Sequence, residues 1–261
     1  MDIIAYVVAG AGVGFAVGVT GVGGGSLMTP LLLLFGFPPH VAVGTDLLYA
    51  AITKSGGIFA HRRQGTIRWN IVFLLSAGSL PASLATVYVL HQYFPDGEAY
   101  ADILTSMLGI MLILTSTVLL LRRKILKESH EHSKVGLLAH LQGKSNIYTW
   151  IMGIVLGVMV TLSSVGAGAF GAAILLLLYP RLPSINVVGT DIAHAVPLTF
   201  IAGFGHILLG NVDFYLLGAL IVGSLPAIYL GTKVATKLPE KWLQPVLASM
   251  LLGLGVKYAF F

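Results

Sequence analysis

The sequence predicts an all-α integral membrane protein of about eight to ten segments in two inverted-topology repeats, some of the segments being short broken or re-entrant helices. Three observations carry that prediction. Of 261 residues, 56% are hydrophobic and only 10% charged, with a mean hydropathy of +0.91, more apolar surface than a water-soluble core of this size needs. Apolar runs of about 18 to 24 residues follow one another along the chain, each long enough as a helix to cross a hydrocarbon layer of roughly 30 Å. Finally, the tetrapeptide VGTD occurs at Val43–Asp46 and again at Val188–Asp191, which marks an internal repeat.

Hydropathy places segments near 3–20, 26–37, 41–60, 69–91, 102–121, 147–164, 170–180, 185–208, 212–231 and 242–260. The opening run lacks a basic n-region and a small-residue cleavage site, so it reads as a retained helix and not a signal peptide. Two segments, 26–37 and 170–180, are about a dozen residues long, or roughly 16 to 18 Å of helix. They reach only partway across. Eight spans plus two re-entrant hairpins is the competing topology.

Basic residues set the orientation. Arg62, Arg63 and Arg68 lie in one loop, Arg122, Arg123, Lys124, Lys127, Lys134 and Lys144 in a second, Arg181 in a third, and Lys233, Lys237 and Lys241 in a fourth. Threading ten segments puts all four groups on one side, the cytoplasm by the positive-inside rule. The net charge of +5 is thereby a matter of topology and calls for no nucleic-acid partner. Residues 1–121 form the first repeat, 122–146 a basic cytoplasmic connector, and 147–261 the second repeat. His130, His132 and His140 in the connector read as solvated residues, with no metal or other cofactor expected. The chain has no cysteine, which excludes disulfides and thiolate metal sites.

Sliding the chain by 145 residues aligns Gly21–Ala82 with Gly166–Ala227 without a gap, and about 20 of the 62 positions are identical. Gly21 pairs with Gly166, Gly23 with Gly168, Pro38 with Pro183, His61 with His206, Gly65 with Gly210, and GSLPA recurs at Gly78–Ala82 and Gly223–Ala227. Five segments per half is an odd number, so the second copy is inverted. In many secondary transporters such repeats build symmetry-related half-sites near the bilayer midplane.

Asp46 and Asp191 are therefore candidate proton-coupling groups, because an ionisable residue at membrane depth costs on the order of 2.5 to 3.5 kcal/mol. The alternative is that both cap helices near the surface. Each short segment follows a glycine-rich stretch, which permits unwound backbone. The N-terminus of a half-helix offers N–H groups and a positive dipole end to an anion. Gly23, Gly24, Gly25 and Ser26 in the first half, and Gly166 and Gly168 in the second, are the candidate substrate-binding residues. Close helix packing is the alternative for such glycines.

Lys54 is the only lysine inside a segment away from its ends, on a similar helical face to Asp46. It is expected to face an anionic substrate or pair with an aspartate; Thr199 takes its place in the second half. His194, one turn from Asp191, joins it as a candidate for proton coupling, with a hydrogen-bonded core histidine as the alternative. His61 and His206, at segment ends, are candidates for gating or for interface packing. Pro81 and Pro226 bend their helices. No nucleophile elbow, phosphate loop or zinc-protease motif is present, so no enzyme is expected.

The stretch GVGGGSLMTPLLLLFGFPPHVAVGTDLLYAAITKSGGIFAHRRQGTIRW and its weaker copy SSVGAGAFGAAILLLLYPRLPSINVVGTD resemble the TauE/SafE family of sulfite exporters. The resemblance covers most of the chain. It implies a multi-pass plasma-membrane carrier of sulfite, small organosulfonates or related anions, embedded in lipid, with a homodimer as the family-level expectation. Many members carry serine at the place of Asp46. A charged carboxylate repels a dianion unless it is protonated or paired, so the resemblance together with Asp46 suggests linked proton and anion movement. A cation or proton carrier using both aspartates, an intramembrane enzyme using Asp191 and His194, and a non-transporting scaffold are the competing readings.

Overall fold

The structure is a computed structural model that describes residues 3–20, 25–94, 96–131, 144–235 and 240–260. Ten α-helices occupy them: α1 (Ile3–Thr20), α2 (Gly25–Leu34), α3 (Pro39–Arg63), α4 (Trp69–Tyr93), α5 (Ala101–Glu131), α6 (Ser145–Ser163), α7 (Ala169–Leu178), α8 (Ser184–Leu208), α9 (Phe214–Ala235) and α10 (Glu240–Phe260). A short 3-10 turn, Glu98–Tyr100, leads into α5. The expected segments agree with these helices to within a few residues except at α5, which runs on to Glu131 through part of the presumed connector. Residues 132–143 of that connector, with His132 and His140, lie outside the described residues.

Among the described residues, five stretches are long and apolar enough to cross a membrane: Trp69–Tyr93, Glu98–Leu121, Ser145–Ser163, Ser184–Leu208 and Phe214–Val234. The 25-residue α3 matches them in length, but Asp46 and Lys54 lower its apolarity. Helices α2 and α7 have ten residues each, about 15 Å. The chain is thus a multi-pass membrane protein. Large apolar side chains such as Phe73, Tyr88, Phe200 and Val222 cover its outside, a surface that suits lipid and not water.

The ends of the long helices follow from local sequence. Proline stands at the start of both α3 and α8: Pro38 caps α3 and Pro39 is its first residue, and Pro183 caps α8, positions where a missing N–H costs nothing. Both end in a left-handed glycine, Gly65 (φ 65°) and Gly210 (φ 74°). Thr66 N–H then bonds His61 O at 3.1 Å, and Asn211 N–H bonds His206 O at 2.9 Å. These are Schellman closures, and they account for the repeated glycine.

The halves interlock through their helices. Helix α1 packs on α9, α4 on α6, α5 on α10, and α3 on α8. In the first two crossings the backbones nearly touch: a Cβ at Gly10, Gly14 or Gly18 would strike the backbone of α9, and one at Gly78 the carbonyl of Trp150. Small residues permit this approach, which replaces the hydrophobic effect as the adhesive inside a bilayer.

Candidate functional site

The two VGTD copies lie on α3 and α8 and touch the opposite half reciprocally. Thr45 Oγ1 accepts the backbone N–H of Asp213 at 3.2 Å, and Thr190 Oγ1 accepts that of Arg68 at 3.0 Å. A Cβ at Gly44 would meet the backbone of Asn211 and Cβ of His206; one at Gly189 would meet the ring of His61 and the hydroxyl of Thr66. Glycine and threonine of the motif are thus the seam between halves. His61 and His206 belong to that seam. His61 Nδ1 lies 2.8 Å from Thr66 Oγ1, while His206 sits between the Thr161 carbonyl (3.0 Å) and Asn211 (3.1 Å).

The last residue of the motif faces the half-helices. Asp46 is wholly buried, and its Oδ2 accepts both the N–H of Thr29 (3.2 Å) and the Thr29 hydroxyl. Asp191, only 4% exposed, faces the backbone N–H of Gly168 at the start of α7. A Cβ at Gly171 would collide with Asp191 Oδ1. Both carboxylates, carried by α3 and α8, therefore face the half-helices α2 and α7 inside the protein and not at its surface. In each of them Oδ1 has no hydrogen-bond partner. The sequence reading missed Thr29, whose only sign is a hydroxyl within an apolar run.

Between α6 and α7 the chain is unwound. Helix α6 ends at Ser164, a non-glycine residue at φ 58°, and Gly166 (φ 123°) and Gly168 (φ 146°) follow in conformations that side chains avoid. The hydroxyl of Ser164 is buried without a hydrogen-bond partner and lies toward Asp46. The carbonyl of Ala167 accepts a 2.7 Å hydrogen bond from Lys54 Nζ. Lys54 is drawn electrostatically to Asp191 first and Asp46 second. Lys54, Asp46, Asp191, Gly166 and Gly168 accordingly share one neighbourhood. Gly25 and Ser26 open α2, while Gly23, Gly24 and the Ser26 side chain lie outside the described residues.

His194 is buried, with Nε2 2.8 Å from Ser79 Oγ. Ser79 comes from GSLPA of the first half. Its counterpart Ser224 lies beside Tyr49, the residue that takes the place of His194. Each half thus directs one polar ring at the other half's GSLPA serine. The serines carried no chemical signal in sequence beyond their repetition.

A cavity of about 800 Å³ adjoins Lys54 and Asp191. Its walls come from α1, α3, α5, α7, α8 and α9, and Gly168 is part of its lining. Asp191 and Leu119 in its lining are buried, whereas Ala60 near the end of α3, Ser184 at the start of α8 and Thr232 near the end of α9 are exposed. Those exposed residues form a mouth at the end of the molecule bearing Arg62, Arg63, Arg181 and Lys233. Lys233 Nζ stands 4.3 Å from the ring centroid of Tyr229, a lining residue. Counting back along α3 from Arg63, Lys54 lies about 13 Å deep at 1.5 Å per residue.

The sequence profile of the sulfite exporter TauE/SafE family matches residues 6–258. The chain belongs to that family. It is 34% identical over 258 residues to the "Probable membrane transporter protein YjnA" of Bacillus subtilis, covering 97% of this chain and 98% of the relative. It is 30% identical to "Probable membrane transporter protein YdhB" of the same organism, over 92% and 95% of the two chains. With "Probable membrane transporter protein MJ0441" of Methanocaldococcus jannaschii it shares 26% identity over 94% and 92%. No solved structure matches the chain. Family and relatives agree with the helical architecture: this is a multi-pass transporter of the plasma membrane.

Proposed function

We propose that this TauE/SafE chain is a secondary carrier of a small anion, either sulfite, an organosulfonate or another sulfur oxyanion, working by alternating access between two inverted halves. The observation that carries the reading is the position of Lys54. A half-buried ammonium stands at the inner end of a cavity, anchored to the carbonyl of an unwound segment, with two carboxylates close by. An ammonium has three donors and the Ala167 carbonyl takes one, so two remain for a ligand.

Asp46 on α3 reaches Thr29 of α2, and Asp191 on α8 faces the N-terminal end of α7, where a bound anion would otherwise be favoured. In this proposal the carboxylates compete with the anion, and releasing or neutralising them admits it. Proton and anion occupancy are then linked. The exposed lining residues of the cavity lie at its basic end, which supports a cytoplasm-facing state. Rocking the halves along the reciprocal Gly-Thr seam would close that mouth and open the opposite one.

The test is flux of labelled sulfite, sulfate and a short organosulfonate in proteoliposomes, with and without a pH gradient. Anion flux that responds to the gradient and vanishes in Lys54→Ala and Asp46→Asn is the expected result. Native flux in Lys54→Ala would refute the anion site. A second reading, a cation carrier, draws on the unpartnered oxygens of Asp46, Asp191 and Ser164. The ammonium of Lys54 beside them opposes it, and cation-dependent flux without any anion movement would favour it.

A further inference from the structure

The repeat extends through two pairs of helices, one member of each walling the cavity. Helices α3 and α8 match end for end at the 145-residue offset, Pro39 with Ser184 and Arg63 with Leu208, and α4 and α9 begin at the matched Trp69 and Phe214. Both α4 and α9 stay helical past GSLPA, so the register carries Leu80, Ser83 and Val87 onto Leu225, Ile228 and Thr232. Those last three line the cavity on α9, as Lys54, Gly56 and Ala60 line it on α3. The counterparts of the α3 residues are Thr199, Ile201 and Gly205 on α8.

The two sets stand in opposite states. Gly56, Ala60, Leu225 and Thr232 are exposed, whereas Thr199, Ser83, Gly205 and Val87 are buried. A Cβ at Gly205 would strike both methyl groups of Val87, so the bare glycine is what lets the valine close on α8. One turn along α4, Ser83 accepts a 2.7 Å hydrogen bond from the Thr161 hydroxyl of α6, and His206, next to Gly205, holds the Thr161 carbonyl at 3.0 Å. This closed contact lies toward the ends of α4 and α8 that are remote from Arg68 and Arg181, opposite the basic mouth of the cavity. Matched surfaces that are parted in one half and shut in the other are what alternating access between inverted repeats requires.

We infer that a second substrate path, shut in this structure, runs between α4 and α8, with Thr199 and Ser83 in its wall and Val87 against Gly205 as its outer gate. Ala60 and Thr232 are the matching gate on the cytoplasmic side. The inference rests on the alternating-access reading above and names the residues that close each side. When Val87 leaves Gly205, Ala60 and Thr232 come together, and the access that now passes Lys54 passes Thr199 instead.

The chain has no native cysteine, so an introduced thiol reports on one position alone. Ser83→Cys in sealed vesicles is expected to react with a membrane-impermeant maleimide added on the side opposite the basic loops, although Ser83 is buried here. Ala85→Cys, two residues on and on the exposed back of α4, faces lipid and should stay unlabelled. Adding Gly205→Ala, whose methyl group holds Val87 away, should speed the labelling of Ser83→Cys. A paired variant, Val87→Cys with Gly205→Cys, tests the gate itself. Val87 Cβ lies 3.2 Å from the place of a Cβ on Gly205, and a slight separation brings the two to the roughly 3.5–4.5 Å of a disulfide. Oxidation of that pair by copper phenanthroline should stop anion flux in proteoliposomes, and dithiothreitol should restore it. Labelling of Ser83→Cys no faster than that of Ala85→Cys overturns the outer path, and so does undiminished flux through the cross-linked pair; the anion site at Lys54 stands in either case. Absence of native flux with every anion removes that anion reading, while the labelling still decides the path.

Discussion

Alanine at Gly44 and alanine at Gly189 are the same substitution in the two copies of one motif, yet the structure assigns them different costs. A Cβ at Gly44 would press on the backbone carbonyl of Asn211, held in turn by the Schellman closure that ends α8, with the Asn211 carbonyl carbon at 3.1 Å and His206 Cβ also at 3.1 Å. Backbone cannot step aside without moving the helix. Overpacking of this kind costs about 1–3 kcal/mol, against a gain of up to about 1 kcal/mol for alanine over glycine inside a helix. Gly44→Ala should therefore destabilise by about 1–2 kcal/mol. A Cβ at Gly189 would meet side-chain atoms only, His61 Nδ1 at 2.8 Å and Thr66 Oγ1 at 3.0 Å. Those can shift by a few tenths of an ångström, so Gly189→Ala should fall within about 1 kcal/mol of native. Thermal unfolding in detergent reads the difference directly. At about 2–4 °C per kcal/mol for a chain of this size, Gly44→Ala should melt several degrees below Gly189→Ala. Equal melting temperatures, or the reverse order, would refute the reciprocal seam as the reason for the repeated glycine.

Other outcomes follow from the same geometry. Ser79→Ala leaves His194 Nε2 buried without its partner and should cost about 1–3 kcal/mol; Ser224→Ala should cost less, since the Ser224 hydroxyl makes only a 3.4 Å bond to Ile221 O, and denaturation of both variants checks the ranking. Gly171→Ala drives a methyl group into Asp191 Oδ1. In proteoliposomes that variant should lose the response of flux to a pH gradient if Asp191 links proton and anion, whereas an unchanged response would remove Asp191 from the coupling. Gly168→Ala places a side chain at φ 146° and should destabilise by about 1–3 kcal/mol, visible as a lower melting temperature.

The sequence by itself determined the membrane setting, the ten helices of the described residues and most of their ends, because apolar run length and the Pro and Gly stops are local properties. It also determined the repeat and singled out Lys54, Asp46 and Asp191, since an ionisable residue in an apolar run is conspicuous without any structure. The expected orientation relative to the bilayer rests only on the placement of arginine and lysine. What VGTD is for was not legible. Its glycine and threonine meet residues of the opposite half, more than a hundred positions away along the chain, and no local pattern records a contact made across an interface. The same limit hid Thr29 and the Ala167 carbonyl. A threonine in an apolar run and a backbone oxygen, which every residue has, become partners of Asp46 and Lys54 only when α2 and the unwound segment before α7 are packed against α3. Most of all, the emptiness beside Lys54 belongs to no residue. A cavity is the space that six helices leave between them, and only their tertiary packing decides its size, its apolar walls and the end at which it opens.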